Sequence, residues 1–393
     1  MYNYYNTKYI KLYNIFITKY IEKLDISSLY NNDIDINIIK KYIYKDWDWY
    51  NLSCYYKFPI DFLTDYSRFI PDLSWYNLSN NSFYTYNEMN ANIHLPWIWS
   101  QVSSNPNITW DIIINNDNLW DINMISANVN ITLDIIEANI DLKWNWYNMV
   151  DNPNITLEFI EKYINNDWNW KKLSWNIIIT WDFIIKYIHK SWNWTFISIN
   201  PNINIDIIKN NLDYNWSWIH ISLNLNITKF DILDNLNLPW NYNYLTLNNS
   251  IKWDTELLSH IYNNFNDICW SNLSKNINIT WKLVKSTPHY LWNYNILCSH
   301  PNINFIIIIN NSHIFNNYKY ISLNPNLTPT IINSYLQLPW NWHSISKNQM
   351  LLGKKNYITS NIRFILTLYL LNTKLSLDII NNIINIYLTN INL

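Results

Sequence analysis

Residues 144–194 decide the fold: Trp144-Asn145-Trp146, then Asn152-Pro153-Asn154-Ile155-Thr156, then Trp168-Asn169-Trp170, and a second copy ending in Trp192-Asn193-Trp194. The aromatic pair recurs outward in both directions. Its second member falls at Trp49, Trp75, Trp99, Ile122, Trp146, Trp170, Trp194, Trp218, Tyr242, Trp270, Tyr294, Tyr318 and Trp342, so that thirteen anchors are separated by 24 residues at most steps and by 23, 26 and 28 at three. A fixed period of this size is the mark of stacked repeats, each a supersecondary unit unable to bury its apolar face alone.

Each repeat carries two start signals. Thr109, Thr132, Thr156, Thr180, Thr228, Thr280 and Thr328, with Asn204, Asn304 and Asp35 as substitutes, stand where a side-chain oxygen can accept from the free amides of a first helical turn. The residue before the cap and the fourth helical residue form a hydrophobic staple, as in Ile131 with Ile136, Ile155 with Ile160 and Ile34 with Ile39. Asp111, Asp134, Glu158, Asp182 and Asp206 add a negative charge at the positive end of the helix dipole. The rule breaks at Lys252, where Glu256 takes the staple position beside the 28-residue gap, which predicts an insertion or a lengthened helix between Asp254 and Asp267. The second element starts at the anchor and carries a small residue four places on, such as Ser174 or Cys298. Asn-Pro closes it at Asn105, Asn152, Asn200 and Asn324, because a residue before proline is pushed out of the helical region. So short an element reads as a 3₁₀ helix or a single helical turn.

The expectation is an all-α chain, an α-solenoid of about thirteen 24-residue helical-hairpin (α/3₁₀) repeats, spanning residues 34–347. An N-terminal helical cap (1–33) and a C-terminal helical cap (348–393) flank it. The alternative, in which Trp-x-Trp is a short strand of an α/β solenoid, stays open on sequence alone.

Composition narrows the function. With one glycine in 393 residues, a glycine-rich phosphate loop is excluded, and turns fall to Asn as the residue that best tolerates left-handed backbone. A net charge of −2 and only 14% charged residues create no field for polyanions, so nucleic acid is not an expected partner. No apolar run reaches the length of a membrane span, and none forms a signal peptide, which predicts a cytoplasmic, non-secreted protein without membrane contact. Cys54, Cys269 and Cys298 read as reduced thiols. The eight histidines are scattered, so no metal site, cofactor or catalytic group is expected. Cys298 and His300 lie two apart, but Cys298 sits at the small-residue position.

Three resemblances add to this. The 24-residue period is similar to the bacterial leucine-rich variant repeat, which implies paired α and 3₁₀ helices. The Trp-Asn-Trp signature in an Asn- and Ile-rich chain resembles tandem repeat proteins of mimivirus-type giant viruses, which implies viral origin and a host-cytoplasmic location but no activity. At the C-terminus, Leu375-Ser376-Leu377-Asp378-Ile379-Ile380 with Ile383-Ile384 and Tyr387-Leu388 resembles the opening helix of an F-box, with Ser376 in place of proline.

The function expected is a non-enzymatic scaffold for a protein partner, a monomer in itself. Alternatives are a ubiquitin-ligase adaptor through the F-box-like helix, and single-stranded nucleic-acid or peptide binding on exposed tryptophan rows. The second aromatic of each pair reads as core. The first points elsewhere on its helix, so the candidate partner surface is Trp97, Trp144, Trp168, Trp192, Trp216 and Trp340, with Lys171 and Lys172 after one pair. Packing of the first ring onto the adjacent repeat is the competing reading.

Overall fold

The computed structural model describes residues 2–29, 33–116, 120–264 and 268–371, and within them it contains helices and no strand. All thirteen anchors are the first residue of a helix, from Trp49–Tyr55 to Trp342–Lys347. Short helices in tandem make an α-solenoid. The closing helix of each repeat is α-helical, four to seven residues long, and the two 3₁₀ helices are Ile26–Ser28 and Ser67–Phe69, outside the repeated position.

The leading helices begin where the caps are expected. Thr132, Thr156, Thr180, Thr228, Thr280 and Thr328 accept a backbone amide in the first turn, as do Asn204, Asn304 and Asp35. Thr109 starts its helix without a side-chain bond. The staple residues Ile131, Ile136, Ile155, Ile160, Ile179 and Ile184 are buried. Beside the 28-residue gap the leading helix is lengthened to Thr255–Asn264, and its cap moves from Lys252 to Asp254, whose carboxylate accepts from Leu257 N at 3.0 Å. Trp253 and Leu258, both buried, then take the staple positions.

The turns are made without left-handed asparagine. Met350, with φ 53°, is the single non-glycine residue at positive φ among the described residues. The leading helices instead end on residues such as Tyr163 (φ −115°, ψ 33°) and Asn139 (φ −128°, ψ 38°). A carbonyl left free by such an ending needs another donor. The first tryptophan of the pair supplies it.

Two compact modules divide the chain, a central one of Trp49–Asn278 and a terminal one that joins residues up to Asp48 with those from Ile279. In the terminal module the N-terminal helix Tyr2–Tyr20 packs on the C-terminal helix Leu351–Leu371. Phe16 and Tyr20 lie against Trp342 of the last repeat, Tyr20 Oη donates to Asn333 Oδ1 at 2.8 Å, and Lys354 pairs with Asp33 at 2.7 Å. The expected N-terminal cap therefore covers the last repeat. Asp25 sits at this contact, 2.7 Å from His343 Nδ1. Burial pushes its pKa upward, but the Ser27 and Ser28 hydroxyls and His343 outweigh that and hold it below the usual carboxylate range.

The C-terminal helix runs unbroken through the expected start of its apolar segment at Ile362. The F-box-like stretch Leu375–Leu388 lies outside the described residues.

Candidate partner-binding surface

Three ladders of polar and aromatic side chains join successive repeats, and they settle which side chains remain free. In the first, the small serine of the closing helix donates to the anchor carbonyl, as Ser174 Oγ does to Trp170 O at 2.9 Å. The same oxygen accepts the backbone amide of a residue in the next repeat, for example Asn193 N at 2.8 Å. Ser53, Ser79, Ser198 and Ser222 repeat the bridge. In the terminal module the amide that meets Ser346 belongs to Asp25, at 2.8 Å, so the chain's own start takes the place of a following repeat.

The second ladder is the asparagine of Asn-Pro and its equivalents. Asn200 Nδ2 donates to Ser174 O and Asn176 O, both at 3.0 Å, while its Oδ1 accepts the amide of Asn202 at 2.9 Å. Asn105, Asn128, Asn224, Asn248 and Asn324 do likewise and are all buried. His300 replaces Asn at this position and accepts Asn302 N through Nδ1 at 3.1 Å, which accounts for the Cys298–His300 proximity in structural terms. Burial pushes the Cys298 thiol up to about 11, away from a reactive thiolate. The next asparagine but one forms a parallel, more exposed row: Asn202 Nδ2 reaches Ile177 O and Ile179 O. The equivalent Asn107, Asn154 and Asn226 head Asn-x-Thr triplets, and their amides are engaged in the fold in the same way.

The tryptophans form the third ladder. Trp97, Trp144, Trp168, Trp216 and Trp340 are buried and Trp192 is half-buried. Each of these six donates its indole N–H to a carbonyl at the end of its own repeat's leading helix: Asn92, Asn139, Tyr163, Asn211, Tyr335 and Tyr187 respectively. The ring then packs edge-on against the anchor of the preceding repeat, with centroids 5.3 Å apart for Trp146–Trp168 and Trp194–Trp216, and 5.1 Å for Trp170–Trp192. Such geometry suits the positive edge and negative face of aromatic rings. The first aromatic is thus helix stop and seam together, and it is buried at least as deeply as most anchors, of which Trp146, Trp194 and Trp218 are half-buried. The middle residue of the motif is also assigned: Asn145, Asn169, Asn193, Asn241, Asn293 and Asn341 cap the closing helices.

Replacing Trp168 by Phe keeps the ring but strips a buried carbonyl of its donor, and should cost about 1–2 kcal/mol. Denaturant midpoints check this against Trp175→Phe, an exposed position expected to change little.

Of the two lysines expected at the surface, Lys171 is exposed and Lys172 pairs with Asp151 of the previous repeat. That pair reveals a face. Residues two and five places after the anchor meet across repeats, as Lys172 with Asp151 and Ser104 with Asn80. In the repeats anchored at Trp49, Trp75 and Trp99 these positions hold Asn51, Cys54, Asn77, Asn80, Gln101 and Ser104. From Trp170 to Tyr242 they are apolar except at Lys172 and His220. Trp175 (55% exposed) stacks on Phe196 (36%) with centroids 5.7 Å apart, and Ile199, Leu223, Tyr244 and Leu247 continue the strip. Polar residues return with Asn272 and Lys275. A strip of this kind was legible only as variation left over once the repeated positions were removed.

Neither a family model, nor a curated protein, nor a solved structure matches this chain. Among the described residues no group of three His, Cys, Asp or Glu side chains converges to hold a metal, and no helix is long and apolar enough to cross a membrane.

Proposed function

We propose that the chain is a non-enzymatic repeat scaffold that binds a protein partner, its origin being viral as the likeness to giant-virus repeat proteins implies. The mostly apolar strip from Trp175 to Leu247, exposed at Trp175, Phe196, Tyr244 and Leu247 and half-buried at Ile199 and Leu223, carries this reading. Most repeated residues among those described are spent on caps, seams and ladders, whereas the strip occupies variable positions and leaves a tryptophan and a phenylalanine in water. A contiguous exposed apolar patch with polar surroundings is characteristic of a protein-binding surface, and Trp is among the residues that dominate binding energy.

The test is a paired affinity purification from expressing cells, with partners quantified by mass spectrometry. The double variant Trp175→Ser, Phe196→Ser should melt as the parent does, since surface changes fall within about 0.5 kcal/mol. It should lose at least about tenfold in partner recovery, as expected when a hot-spot tryptophan is removed. Undiminished recovery with the double variant rules this surface out.

A further inference from the structure

The terminal module carries a second, chemically different surface. The helix Tyr2–Tyr20 buries Tyr9, Tyr13, Phe16, Ile17 and Tyr20 and turns its opposite face outward. On that face Lys11, Ile15 and Lys19 follow one another at four-residue spacing, with Lys8 on the preceding turn, and all four are exposed. Residues four apart on a helix lie one above another. Beside them is an open groove of about 680 Å³ whose lining includes Ile10, Asn14, Ile15 and Thr18 of this helix and Asp35 and Ile38 at the start of the next.

The lining of the groove carries two ammonium groups, Lys11 and Lys19, against one carboxylate, Asp35, and is net positive. Nearby carboxylates are already committed: Glu22 pairs with Lys45, Asp33 with Lys354, and Asp35 caps its own helix through Asn37 N. Asn14 is fully used, donating to Ile10 O and Asp33 O and accepting from Asp35 N. Lys8, Lys11 and Lys19 have no ion-pair partner among the described residues. The result is an aliphatic floor with the ammonium groups of Lys11 and Lys19 on its wall, Lys8 in the adjoining groove, and one carboxylate, Asp35, at the start of the next helix.

We propose that this groove docks an acidic peptide helix of a protein partner, its aliphatic residues against Ile10, Ile15 and Ile38 and its carboxylates on Lys8, Lys11 and Lys19. Carboxylates two turns apart on the occupant match the two-turn spacing of Lys11 and Lys19, with Ile15 between them, and a cleft walled by two helices accepts a third along its length. A lipid surface fits less well, because the aromatic face of Tyr2–Tyr20 that could enter a bilayer is packed against Trp342. Single-stranded nucleic acid fits less well too. It is held by aromatic stacking along a basic track, and among the described residues no ring lines this groove.

The experiment is fluorescence anisotropy on the full chain with a labelled 16-residue model helix carrying Leu on one face and Glu elsewhere. The same helix with Lys in place of Glu, an oligo-dT strand and anionic vesicles serve as comparison probes. The Glu/Leu helix should bind below about 100 µM, more weakly as salt is raised, while the Lys/Leu helix does not bind. Lys11→Glu with Lys19→Glu should weaken binding at least about tenfold with an unchanged melting curve, and Ile15→Asp should do so with every lysine in place. Trp175→Ser, Phe196→Ser should leave it unaltered, which separates this groove from the apolar strip. No binding of the Glu/Leu helix, equal binding by the lysine variants, or binding confined to vesicles or oligo-dT would each overturn the proposal.

Discussion

Asn224→Ala is expected to lose about 3–5 kcal/mol of stability, more than any conservative change at a repeated surface position. The side chain is fully buried. Its amide donates to Ser198 O and Asn200 O at 3.0 Å and to Ile203 O at 3.2 Å, and its oxygen accepts Asn226 N at 2.9 Å. Alanine removes all of these and admits no water in compensation, so several backbone groups stay buried without partners at about 1–3 kcal/mol each. Asn202→Ala is the control. Its amide also reaches two carbonyls, but at an exposed site where water can replace it, and the cost should stay under about 1 kcal/mol. Denaturant melts of both variants, with hydrogen exchange across residues 198–226, read the difference. Equal losses would mean that the ladder contributes shape and not hydrogen bonding.

Gly353→Ala should destabilise the terminal module although the same change in an ordinary helix gains about 1 kcal/mol. Gly353 lies inside the helix Leu351–Leu371, and no turn requires it. A Cβ there would stand 2.0 Å from Leu327 O and 2.9 Å from Leu327 C, and these are backbone atoms that cannot swing aside. The Gly353 amide also donates to Pro325 O at 2.8 Å. Adding a methyl must therefore push the C-terminal helix off the last repeats. A loss of about 3 kcal/mol is expected, at the upper end for overpacking, with faster exchange in residues 325–328 and along the N-terminal helix that packs on the same element. Leu351→Ala, at an exposed site of the same helix, should be nearly silent. A stabilised Gly353→Ala would show that the close approach is not maintained in solution.

Sequence and structure agree most closely where one residue acts on another within a turn or two. The anchors start helices, the threonines cap them, the isoleucines staple them, and the irregular gap lengthens the helix Thr255–Asn264. The reading was incomplete where the partner is a repeat away. Asn in the Asn-Pro pair looked like a stop before proline, yet its side chain spans 24 to 26 residues to buried carbonyls. The first tryptophan was open on sequence to two readings, packing on the adjacent repeat or a ring exposed to a partner, and the structure shows the packing. Its nitrogen in fact closes a helix that, in a chain with one glycine, has no left-handed residue to end on. Glycine scarcity was visible from the start, but the indole answer to it was not, because it depends on how the ring folds back over five residues.

The sequence by itself determined the period, the helix starts and the number of repeats, since capping and amphipathic spacing act through bonds made within a few residues. Only the tertiary structure decided which side chains were consumed in the seams, that Ser346 would meet Asp25 across 321 positions, and that Trp175 and Lys11 would be left facing water. Those outcomes follow from stacking. A side chain's exposure is set by the neighbouring repeat that covers it, and neither the repeated motif nor its spacing records where that cover stops.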